Sequence, residues 1–261
     1  MGGGAKQTGP LGAGEIAIDP RGPVGLAAGS DAAQALPPPV ADYKDTSERK
    51  AYSWAGGKAQ IVLCRIKAPR PDFSKTLKQI RSETADGSQL GFTDCSFESE
   101  LVSNPKAEAA GYFCGRAALK TSAILIPKEL DVTDAQIRAA EARKDVPATK
   151  RLKALRACRD YLVTHELAHI DKAWDSLSEM TLGWQKKLGA LGEGATVTEK
   201  VIEGALDEGD AKGPTKIAES AKKWDEDDLG PLRGRFRTEY IFIYDGEDST
   251  FDYVEPKESG G

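Results

Sequence analysis

Hydrophobic and polar positions alternate with a period of two in several short runs over the first half of the chain, and recur every three to four residues over most of the second. From about Ala51 to Pro127 the pattern predicts strands: Gln60 to Ile66, Gly91 to Phe97, a region beginning at Gly111-Tyr112-Phe113-Cys114, and Thr121 to Ile126, which Pro127 ends because it has no amide hydrogen for a ladder. Gly87, Gly91 and Asn104-Pro105 read as turns between them. From Thr133 the period is helical. Asp131-Val132-Thr133 opens a short helix, and Pro147 opens a long one over about 148–188. A Gly-rich turn at 189–194 leads to a helix from Thr196 to about Asp210. Gly213-Pro214 reads as a break, and a third helix follows from Thr215 to Asp228. Residues 231–261 read as terminal strands, with Tyr240 to Tyr244 and Thr250 to Val254 forming a hairpin across Asp245-Gly246.

The first 40 residues break this patterning. They are rich in Gly, Ala and Pro, end in Pro37-Pro38-Pro39 and carry almost no large apolar side chain, so they read as a disordered arm ahead of one folded domain over 41–261. Within that domain, 41–130 is mainly strand, 131–230 helical and 231–261 strand. The predicted class is α+β: a small mixed or antiparallel sheet packed on one long helix, with further helices towards the C-terminus.

Net charge and apolar runs narrow the partners. The chain carries 36 Lys and Arg against 41 Asp and Glu, and no basic block interleaved with aromatics, so it offers nothing to neutralise a nucleic-acid backbone. No run approaches the ~20 apolar residues of a membrane span. The N-terminus lacks the basic and apolar regions of a secretory signal, which suggests a cytoplasmic protein or one exported by a signal-independent route. Cys64, Cys95, Cys114 and Cys158 include no CxxC pair; free buried thiols are the simplest reading, with a Cys95–Cys114 bridge as the alternative in an oxidising compartment.

The long helix carries the chemistry. Leu152, Leu155, Cys158, Leu162, His165, His169, Ala173, Leu177, Met180, Trp184 and Leu188 fall on one face, so the chain's two histidines point into the core one turn apart. Two imidazoles in a leucine stripe need a partner, and at i and i+4 they can share one ion. Glu166 lies about 100° around the helix from His165, beside such an ion and not on it. There it can act as general base and acid on a zinc-activated water. The string His165-Glu166-Leu167-Ala168-His169 therefore supplies two Zn2+ ligands and a proton carrier from one helix.

A third ligand has to come from elsewhere, since no histidine remains. Asp171 and Asp175 continue around the helix and face away, and Cys158 lies two turns from His165. On the third predicted helix, Ile217, Ala221 and Trp224 form an apolar stripe whose next member is Asp228, with Asp225 beside it. These two are the favoured ligands, with Glu208 and Glu203 of the preceding helix behind them. Tyr240, Tyr244 and Arg237 are candidates to donate to an oxyanion.

With this HExxH string the chain resembles the zincin superfamily of zinc metallopeptidases. The strand ending in Ile124-Leu125-Ile126-Pro127 ahead of the helix is similar to the zincin edge strand above the cleft, and a cysteine upstream with a Trp224-Asp225 pair downstream is similar to an uncharacterised bacterial group assigned as zinc peptidases. The resemblance implies a zincin-like domain and a zinc metalloendopeptidase that binds a protein or peptide substrate in extended form. The chain departs from two subfamily patterns. Lys172 and Asp175 stand where an HxxGxxH continuation needs Gly and His, and Gly189 stands where a Glu some twenty residues downstream is needed. An inert structural zinc site and a metal-dependent hydrolase of cell-wall peptides are the alternatives. An injected effector, a toxin and an intracellular peptidase suit the chain equally.

Overall fold

The computed structural model describes residues 45–84, 89–192 and 194–239, with side chains up to Asp228. The predicted arm over 1–40 and the hairpin with Tyr240 and Tyr244 lie outside the described residues. Four strands form one mixed sheet: β1 (Thr46–Trp54), β2 (Ala59–Ile66), β3 (Phe92–Val102) and β4 (Phe113–Leu125), in the order β1-β2-β4-β3. β2 and β4 run parallel, while the β1–β2 and β3–β4 pairs are antiparallel. The architecture is α+β, as the period change predicts. β4 merges the two predicted segments that begin at Gly111 and Thr121 into one strand.

Strand order corrects one expectation. The strand ending in Ile124-Leu125-Ile126-Pro127 is not at the edge: β4 lies between β2 and β3, and the outer strands are β1 and β3. The near-continuous apolar character of β2 and β4, buried at Ile61, Val62, Leu63, Ala117, Ala118 and Leu119, suits interior strands, whereas β3 alternates half-buried and exposed positions.

Five α-helices and two single 3-10 turns, Ala55–Gly57 and Lys128–Leu130, complete the described chain. α1 (Leu77–Glu83) starts from a capping box in which the Thr76 hydroxyl accepts from the Gln79 amide while the Gln79 side chain accepts from the Thr76 amide. α2 (Pro105–Ala109) occupies the Asn104-Pro105 turn, with Asn104 as its cap. α3 (Asp134–Ala142) has a second capping box between Thr133 and Gln136. α4 (Val146–Gly189) runs for 44 residues from its cap Asp145, and α5 (Glu199–Glu239) for 41. No helix among the described residues is long and apolar enough to cross a membrane.

α5 replaces three predicted features: a helix, a break at Gly213-Pro214 and another helix. It also continues through 231–239, where the pattern predicts strands. A helix-interior proline costs about 3 kcal/mol. What offsets it is packing against β3 and α4, where Gly209 and Gly213 let the helix approach closely. A Cβ on Gly213 would stand 2.6 Å from Phe97 Cγ, and one on Gly209 would stand 2.8 Å from the Trp184 ring. Burying large aromatics is worth about as much as the proline costs. Gly213 is therefore a close-packing residue.

The main core lies between the sheet and the two long helices. It joins Ile61, Leu63, Ala117 and Leu119 of the strands to Leu162, Ile170, Leu177 and Trp184 of α4 and Ile202 and Leu206 of α5. Gly115 of β4 extends the close approach, because a Cβ there would meet Ile202 at 2.8 Å. The α4 stripe faces inward as its periodicity predicts, and it brings His165-Glu166 to the start of β3.

Candidate metal centre

α4 presents His165, Glu166 and His169 towards the start of β3 and the C-terminal half of α5. His165 and Glu166 are 2% and 3% exposed, a degree of burial that a charged or polar group tolerates only with partners. Among the described residues these three form a cluster whose ligand atoms all lie within 4.8 Å of one another and could hold a metal ion. The two imidazole rings meet edge to face, with centroids 4.8 Å apart.

α5 brings two carboxylates to the same place. Asp225 Oδ1 lies 3.1 Å from His165 Nε2 and 3.3 Å from His169 Nε2, so one oxygen faces both histidines. Asp228 Oδ2 lies 2.7 Å from the opposite nitrogen of His165, Nδ1, and also accepts from the Tyr161 hydroxyl. The two predicted ligands thus sit on different sides of one ring. Asp225 faces both Nε2 atoms, whereas Asp228 holds the back of His165. Trp224 fixes the ring in a third direction, stacked on it at 5.6 Å and donating its indole N–H to the His165 carbonyl.

Glu208 and Glu203 stay apart from this cluster. Glu208 pairs with Lys187 and Lys212, whose hydrogen bonds lower its pKa, and Glu203 is exposed on the α5 surface. Asp171 is exposed and bonded to Arg65, and Asp175 is exposed, as their helical positions predict. Arg237 belongs to α5, with its side chain beyond those described. All four cysteines are free, so no Cys95–Cys114 bridge forms. Burial raises the Cys158 thiol pKa and pushes that of Cys114 up to about 11.

Electrostatics distinguish the acidic groups. Burial acts to raise the Asp225 pKa, but hydrogen bonds from His165 and His169 outweigh it and hold the carboxyl down at about 2. For Glu166 burial prevails over the nearby imidazoles and the Thr93 bond, and the pKa is raised. Burial acts to lower the His165 pKa, yet its bonds to Asp225 and Asp228 raise it overall. A neutral imidazole carries one N–H and cannot donate to both carboxylates at once. Two acceptors on one ring therefore require either an imidazolium or a cation on one side. His169 Nδ1 is buried and finds no partner among the described residues.

β3 and the residue ahead of it supply contacts that the periodicity of the chain does not reveal. Thr93 Oγ1 lies 2.8 Å from Glu166 Oε2 and 2.9 Å from the Glu166 carbonyl, tying the side chain and backbone of α4 to β3. Gly91 lies directly over the carboxylate, where an added Cβ would stand 2.5 Å from Glu166 Oε1 and 3.0 Å from Cδ. The only trace of this in the sequence is the Gly91-x-Thr93 spacing, which puts both residues on one strand face. Gly91→Ala is expected to fold with a loss of about 1–3 kcal/mol from overpacking and to turn Glu166 out of its present position. Thermal unfolding with a crystal structure of the variant checks both; an unmoved carboxylate would contradict the tight fit.

β3, α4 and α5 enclose a cleft of about 380 Å³ lined by Gly91, Thr93 and Cys95 on the strand side, Glu166 and His169 beneath, and Pro214, Ala218 and Asp225 on α5. No family model, curated protein or solved structure matches the chain. The functional reading therefore rests on this geometry.

Proposed function

We propose that this chain is a zinc-dependent metallopeptidase of the zincin type, with His165, His169 and Asp225 holding the ion and Glu166 carrying the proton. The observation that supports it best is the single Asp225 oxygen facing two Nε2 atoms at 3.1 and 3.3 Å. A tetrahedral ion with bonds of about 2.0–2.1 Å needs donors about 3.3–3.4 Å apart. The donor set also suits zinc chemically: two neutral imidazoles and a carboxylate ionised throughout the neutral range, with a side open to a cleft. Asp228, accepting from Nδ1 of His165, leaves Nε2 free as the ligating atom and orients the ring.

When bound, zinc would polarise a substrate carbonyl and lower the pKa of a water at the same place. The residues do the rest. Glu166 Oε2 lies 4.0 Å from His169 Nε2, so this carboxylate borders the ligand set without belonging to it. Its raised pKa makes it a stronger base than an exposed glutamate, and it can take a proton at Oε2 and pass it to a leaving amine. Thr93 at Oε2 and Gly91 over Oε1 keep the carboxylate aimed, while β3, an outer strand with one edge unpaired among the described residues, borders the cleft. An extended peptide added to this edge would run past the ligand set. Relative to the sequence expectation, the strand that would bind substrate is β3 and not β4.

Zinc-loaded full chain is expected to hydrolyse peptides in a mixed peptide digest. A chelator should abolish the cleavage and zinc should restore it, with products identified by mass spectrometry. Equal cleavage before and after chelation, or a chain that binds no zinc at micromolar concentration, overturns the proposal.

A further inference from the structure

The cleft beside Glu166 and His169 has a shape and chemistry of its own. On α5, Pro214, Ala218, Ala221 and Asp225 recur at helical spacing along its wall, so the helix presents short apolar groups and then the carboxylate. Ala218 is exposed and Ala221 half-buried. Their small size keeps the wall of α5 back from the start of β3. Leu90 on the strand side and Ile217 beneath extend the apolar lining.

Phe97 adds an aromatic ring to the lining. Its ring is wedged between β3 and α5, with Gly209 and Gly213 so close that a Cβ on either would stand within 3.3 Å of it. A separate acidic recess, lined by Ser99, Glu203, Asp207 and Asp210 among others, shares no residue with the cleft. At about 380 Å³ the cleft is at the small end of ligand sites, which run from about 300 to 1,000 Å³. It has room for one large side chain and adjoining backbone.

We infer that this cleft is a specificity pocket that selects a peptide with a large apolar side chain, of the leucine or phenylalanine kind, next to the bond to be cut. This rests on the peptidase reading, and it follows from three features together: a mainly apolar lining, the aromatic ring of Phe97 within it and direct adjacency to Glu166 and His169. An aspartate or glutamate would sit beside Asp94, Glu166 and Asp225, and a lysine or arginine would give up the hydration of its charge to enter a mainly apolar lining. Both are disfavoured relative to leucine or phenylalanine.

The test uses four blocked peptides, dansyl-Gly-Gly-Xaa-Gly-amide with Xaa as Leu, Phe, Lys or Asp. Their binding is followed by fluorescence anisotropy on the full chain, both stripped of metal and as zinc-loaded Glu166→Gln. The Leu and Phe peptides are expected to bind at least about tenfold more tightly than the other two. Ala218→Trp, a change at an exposed position, should fill the pocket and remove that preference while zinc content stays as in the parent. Equal binding of all four peptides, or a preference that survives Ala218→Trp, overturns the inference. A chain that keeps the preference but never binds zinc would support the pocket and sink the peptidase reading. Cleavage with no preference at Xaa would do the reverse.

Discussion

Replacing Glu166 with glutamine is expected to lower peptide hydrolysis by about 10²–10⁴-fold while leaving zinc content unchanged. Glutamine keeps the shape of the side chain, can still receive the Thr93 hydroxyl bond at its amide oxygen, and fits beneath Gly91 as the carboxylate does. What it loses is the ability to take up a proton. Glu166 is 3% exposed, which leaves little room for a base from bulk solvent to take its place. The variant should also fold well, since burying a neutral amide costs less than burying a carboxylate. Steady-state hydrolysis of a peptide found in the digest experiment, with metal analysis on the same sample, reads both quantities. Loss of zinc together with activity would make Glu166 a ligand; full activity would remove it from the chemistry.

The second large effect is expected at Asp225. Asp225→Ala should weaken zinc binding more than Asp228→Asn, for which about 10–100-fold is the usual cost of losing a group that orients a ligand. Glu203→Ala and Glu208→Ala should leave it unchanged. The order follows from position. Asp225 Oδ1 faces both Nε2 atoms, Asp228 touches only Nδ1 of His165, and Glu208 is held by Lys187 and Lys212 elsewhere on α5. Competition with a chromophoric zinc chelator measures the four affinities. Equal losses for Asp225→Ala and Asp228→Asn, or a larger loss for Asp228→Asn, would reverse the roles assigned to them.

Much of this site can be read from periodicity because it is built on helices. The α4 stripe by itself orients His165 and His169 inward, and the continuation of Ile217, Ala221 and Trp224 into acidic residues singles out Asp225 and Asp228. Periodicity does not separate those two, because they lie three residues apart on one helix face and differ only in which side of His165 they meet. The strand contribution is hidden for a different reason. Which strand is outermost depends on pairing between distant segments, and the apolar run before Pro127 signals burial on both faces of a sheet, not an edge. Gly91 and Thr93 acquire their meaning only once β3 lies over Glu166.

The helix boundaries divide along the same line. Thr133 and Gln136 mark the start of α3, and Thr76 with Gln79 carries the same capping signal for α1, a helix that the strand pattern of its surroundings conceals. Gly213-Pro214 misleads in the other direction. Local propensity favours a break, whereas the close contact with Phe97 and the aromatic burial around it favour a continuous α5. That continuity matters for function, since it carries the wall of the cleft and Asp225 on one rigid element.

X-ray absorption at the zinc edge of the zinc-loaded full chain tests the proposed centre most directly. One zinc per chain is expected, with two imidazole nitrogens at about 2.0–2.1 Å, light oxygen or nitrogen atoms completing the shell, and no sulfur. A sulfur scatterer at about 2.3 Å, a shell with fewer than two imidazoles, or no stoichiometric zinc would contradict it.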